Sequence, residues 1–60
     1  MSSELAKQLK ETVDDLFRLY RKPIACEKII HLLASAKQVL NEEGYYKLER
    51  HVLEHLISTP

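Results

Sequence analysis

The sequence is poor in punctuation and in covalent staples. Its 60 residues contain one cysteine, one glycine, two prolines and no tryptophan. With Cys26 alone, no intramolecular disulfide can form, and only a bridge between two chains is chemically open. The lone glycine, Gly44, excludes a glycine-rich phosphate loop. Neither charge is in excess: nine basic residues balance nine acidic ones, for a formal net charge of zero. That balance argues against a strong electrostatic pull toward nucleic acid or anionic membrane, and nothing repels one copy from another. No apolar run approaches the roughly 18 residues of a membrane span. The start, Met1-Ser2-Ser3-Glu4, has neither the basic nor the apolar region of a signal peptide. The expected location is the cytoplasm, where a thiol stays reduced.

What the chain does have is helix-forming sequence with enough apolar content to fold. It is 45% hydrophobic and 30% charged, which is not the composition of a disordered segment. Its length allows a single domain, residues 1–60, that buries only about 60% of the surface its unfolded form exposes. The prolines and the glycine divide it into three segments, each with helical periodicity, expected at about 3–21, 23–41 and 45–57.

In the first segment Leu5, Leu9, Thr12, Val13, Leu16, Phe17, Leu19 and Tyr20 fall on one arc. Lys7, Lys10, Glu11, Asp14, Asp15, Arg18 and Arg21 fall on the other, as a helix with one buried side requires. Ser2 or Ser3 can cap its start, and Asp14 and Arg18 have the i,i+4 spacing of an ion pair. Pro23 should end this helix, force Lys22 out of the helical region and open the next. The apolar residues of the second segment cover an arc of roughly 200°, wider than one-sided packing needs, so this helix is expected at the centre of the core. Gly44 suits the left-handed position that closes a helix, although Asn41 can instead cap a third helix starting a turn earlier. In the third segment Tyr45, Leu48, Val52 and Leu56 form one ridge, and Tyr46, Leu53 and Ile57 form a second, with Glu49 between them. Ser58-Thr59-Pro60 reads as a polar tail. Short connections favour sequential antiparallel packing. The fold class is therefore all-α: a small three-helix bundle, or a helical hairpin plus a third helix, completed by self-association.

Four groups of residues carry possible chemistry. A small chain offers little to pack against both ridges of the third helix, so Tyr46, Glu49, Leu53 and Ile57 are expected to form a protein interface. Arg18, Arg21, Lys22 and Lys28, with Tyr20, make a modest basic cluster that can contact phosphates, although cations at a helix end also complement the dipole. His51 and His55 have the i,i+4 spacing of paired zinc ligands. The residues between them are Val52, Leu53 and Glu54, which is not the H-E-x-x-H pattern, and the sequence shows no further ligand, so no metal site is assigned. Cys26 and His31 lie about 140° apart on one helix and cannot chelate together. Cys26 reads as a buried small hydrophobe. No serine–histidine–acid set can be assembled, and Asp14 and Asp15 point about 100° apart on a solvated face. The expectation is a binding protein, not an enzyme, with no cofactor. It would act as an interaction module whose partner is itself, as a homodimer, or a larger protein. The alternative is a nucleic-acid-binding dimer using the basic cluster.

Overall fold

The computed structural model describes residues 2–58, with side chains from 4 to 58. The cap expected from Ser2 or Ser3, and Thr59 and Pro60 of the tail, lie outside the described residues. Three helices, α1 (Ser2–Leu19), α2 (Lys22–Val39) and α3 (Glu42–Ser58), are joined by two-residue breaks at 20–21 and 40–41. A helix of 18 residues is about 27 Å long. The longest dimension of the molecule is 33 Å, so the helices must lie side by side.

Their order follows from side-chain register. Ala6 and Lys10 of α1 share a groove with Gly44 and Lys47 of α3, and Asp14 further along α1 reaches His51 and His55 further along α3. Helices α1 and α3 therefore run parallel, with α2 antiparallel to both, as an up-down-up three-helix bundle.

Each break has a local cause, and both lie slightly upstream of the sequence expectation. Helix α1 ends at Leu19, not at 21, where the bond from Tyr20 N to Leu16 O completes its last turn. Arg21, not Lys22, takes the extended backbone, with ψ 154°. Lys22 then opens α2 and Pro23 follows inside the first turn, where a missing N–H leaves no intrahelical bond unmade. Helix α2 stops at Val39, with Leu40 extended at ψ 150°.

The left-handed role expected of Gly44 does not occur, because no described residue has positive φ. Asn41 instead caps α3, which starts at Glu42 rather than at 45. Its Oδ1 accepts the Gly44 N–H at 2.7 Å. A Cβ at position 44 would stand 3.1 Å from that oxygen, so the glycine leaves room for the cap. Glu42 and Glu43 add negative charge where the helix dipole favours it.

The core joins all three helices. Val13 of α1, Ile29 and Ala36 of α2, Leu40 between the helices, and Leu48 and Val52 of α3 are buried together. Leu9, Leu16, Phe17, Leu33, Tyr45 and Leu56 close its edges. The most extensive contact is between α1 and α3, so α2 is not the centre of the bundle. Its apolar residues are spread too widely to face inward at once: Ala25, Ile29 and Ala36 are buried, but Ile24, Ile30 and Val39 are exposed. Leu5 and Leu19 of α1 and Tyr20 in the first break are also exposed. Cys26 is half-buried and free, not buried as its place on α2 implied.

Among the described residues, the largest fully enclosed side chains are Ile29, Leu48 and Val13. Each such burial is worth about 1.5–3 kcal/mol before conformational entropy is charged against it. A core of this size leaves a domain dependent on its edge interactions.

Candidate functional site

The first candidate is the outer ridge of α3. Helical periodicity sends Leu48 and Val52 inward and Tyr46, Leu53 and Ile57 outward. Tyr46 is 57% exposed, Leu53 51% and Ile57 82%, whereas Leu48 is 0% exposed. Glu49 is exposed with them. The four residues singled out from the sequence therefore share a solvent-facing side of α3. Arg50 stands beside them and donates from Nη1 to the Tyr46 hydroxyl at 3.2 Å. That bond, the charge of Tyr46 when ionised and the nearby Glu54 carboxylate hold the Arg50 guanidinium above its usual arginine value.

The second candidate joins α1 to α3. His51 and His55 project from α3 beside the buried Leu48–Val52 ridge, and Asp14 projects toward them from α1 next to the buried Val13. Asp14 Oδ1 lies 2.7 Å from His51 Nε2 and 2.6 Å from His55 Nε2. An ionised carboxylate oxygen only accepts, so each imidazole presents its Nε2–H to it. The rings converge without overlap. His55 stacks on Phe17 with centroids 4.6 Å apart and 12° between planes, while His51 meets His55 edge-on at 5.2 Å. Burial alone would raise the Asp14 carboxyl. The hydrogen bonds from His55 and His51, and the charge of the two rings when protonated, outweigh it and hold the group below its ordinary 3.8.

This cluster redirects an expected ion pair. Asp14 is taken by the histidines, and Arg18 pairs with its other acidic neighbour, Asp15, at 3.0 Å. Asp14 is thus not an idle carboxylate on a solvated face. His51 and His55 were legible from their spacing, but Asp14 was not, because nothing local says that position 14 meets positions 51 and 55.

The basic cluster is dispersed among internal partners. Arg18 bonds Asp15, and the Lys28 ammonium lies 4.9 Å from the centroid of the Tyr20 ring, a cation–π contact. Arg21 is exposed and Lys22 is half-buried at the start of α2. His31 is exposed on α2 and is not grouped with Asp14, His51 and His55. Among the described residues, no helix is long and apolar enough to cross a membrane.

Fold and sites together define a small all-α bundle with an apolar outer ridge and an interhelical histidine–carboxylate cluster. No family model, curated protein or solved structure matches the chain.

Proposed function

We propose that this protein is a protein–protein interaction module, a small regulator or adaptor and not an enzyme, that works by burying the outer ridge of α3 against a second copy of itself. The observation that carries this reading is that Tyr46, Leu53 and Ile57 stay exposed although α3 has already completed the core with its other ridge. Apolar side chains left in water at helical spacing are the usual anchors of helix-face recognition. A second copy is favoured because the net charge of zero offers no repulsion and because the chain has so little enclosed core of its own. Glu49 is exposed on this side of α3 and can set register by meeting the partner's cation.

Sedimentation across a wide concentration range tests this. The wild type should rise toward twice the chain mass, and Leu53→Glu should stay at the mass of one chain with unchanged helical circular dichroism. A wild type that remains a single chain throughout refutes the dimer. A Leu53→Glu variant that unfolds refutes the assignment of Leu53 to the outer face.

The alternative, nucleic-acid binding through Arg18, Arg21, Lys22 and Lys28, has less support because Arg18 and Lys28 already have partners within the chain. A low-salt mobility shift that weakens steeply with salt, and with Arg18→Glu, would favour it over the dimer.

A further inference from the structure

We propose that Asp14, His51 and His55 form a binding site for a zinc-class divalent cation that staples α1 to α3. Three donor atoms, one from each residue, lie within 4.8 Å of one another. Two neutral imidazoles and one carboxylate are a ligand set suited to zinc and its first-row neighbours, whereas magnesium and calcium favour all-oxygen sets. Zinc bonds of about 2.0–2.1 Å place tetrahedral ligands about 3.3 Å apart. The present nitrogen–oxygen separations of 2.6 and 2.7 Å must therefore open by about 0.6–0.7 Å to admit the ion. Asp14 is half exposed, so a small χ rotation on α1 supplies that movement and water completes the coordination.

The chemistry balances simply. In the empty cluster each Nε2 carries a proton directed at Asp14 Oδ1. On binding, each neutral ring moves its proton to Nδ1 and gives the Nε2 lone pair to the metal, and Asp14 gives an oxygen lone pair.

Two features fix the donors before the ion arrives. The histidines are one turn apart on a single helix, and the Phe17 stack holds the His55 ring. Surrounding charge is mixed. Lys10, Lys47 and Arg50 border His51, and Arg18 and Lys22 border His55, while Glu54 borders both histidines. The Asp15 carboxylate offsets Arg18. A chain of 60 residues without a disulfide gains most from a link between distant segments, and this one ties position 14 to positions 51 and 55.

The test is titration of chelator-treated protein with zinc(II), followed by calorimetry and thermal unfolding, with cobalt(II) as a spectroscopic probe. We expect one ion per chain, a higher midpoint of unfolding that chelator reverses, and the visible bands of tetrahedral cobalt(II). Asp14→Asn, His51→Gln and His55→Gln should each weaken binding about tenfold or more, because removing a ligand costs at least what removing its outer-shell support does. His31→Gln should leave binding unchanged, and so should Leu53→Glu, which separates this site from the proposed dimer. Circular dichroism of each metal-free variant confirms that it is folded before affinity is compared. No binding, one ion per two chains, or binding that survives loss of Asp14 or of either histidine would overturn the proposal.

Discussion

Leu48 and Leu53 are the same residue on the same helix, yet one is sealed in the core and the other stands half in water. The five-residue step from one to the other turns the helix by about 140°, which is enough to change a core residue into a surface one. The inner ridge of α3 is thus committed to folding, and the outer ridge is left for whatever the folded protein meets.

That contrast predicts the largest difference in stability. Leu48→Ala empties a fully enclosed site and should cost about 2–5 kcal/mol, enough to unfold a domain this small. Leu53→Ala should change the stability of the single chain by about 0.5 kcal/mol or less. Urea unfolding of both variants at low concentration measures the pair, and equal losses would break the distinction between the ridges.

The orientation of α3 depends on its start as well as its inner face. Asn41→Ala removes the acceptor for the Gly44 N–H and should cost about 1 kcal/mol, visible as a lower unfolding midpoint.

Asp14 gives the pair of helices a pH signature. Its carboxyl is held below its ordinary 3.8 by partners that exist only in the folded state. The stabilisation is therefore complete above 3.8 and is lost as pH falls through the folded value below it. On acidification the metal-free wild type should lose more of its neutral-pH stability than Asp14→Asn, which lacks this group's titration. Identical acid limbs would show that Asp14 contributes nothing through its charge.

The smallest effect belongs to the exposed ion pair. Arg18→Ala breaks the bond to Asp15 on the surface of α1 and should alter stability by a few tenths of a kcal/mol at most, and less at high salt.

Much of this fold is legible in local pattern because helices are local structures. Apolar spacing identified three segments, and the division of α3 into Tyr45, Leu48, Val52 and Leu56 against Tyr46, Leu53 and Ile57 matches the observed burial. Legibility declined where two local signals competed. Gly44 carried the signal for ending one helix and Asn41 the signal for starting another, and the cap on the Gly44 N–H prevailed. It failed for α2, where apolar residues surround the helix and periodicity cannot say which of them find a neighbour.

The sequence by itself determined the class of this protein: the periodicity, the proline and the asparagine cap act within a few residues and require three short helices. It also determined that no disulfide could hold them. Only the tertiary structure decided that α1, rather than α2, makes the most extensive helix contact, and that Asp14 answers to two histidines rather than to Arg18. Those outcomes depend on the register in which whole helices dock, which is set by the fit of the Val13, Ile29 and Leu48 side chains across the core and is written at no single position of the chain.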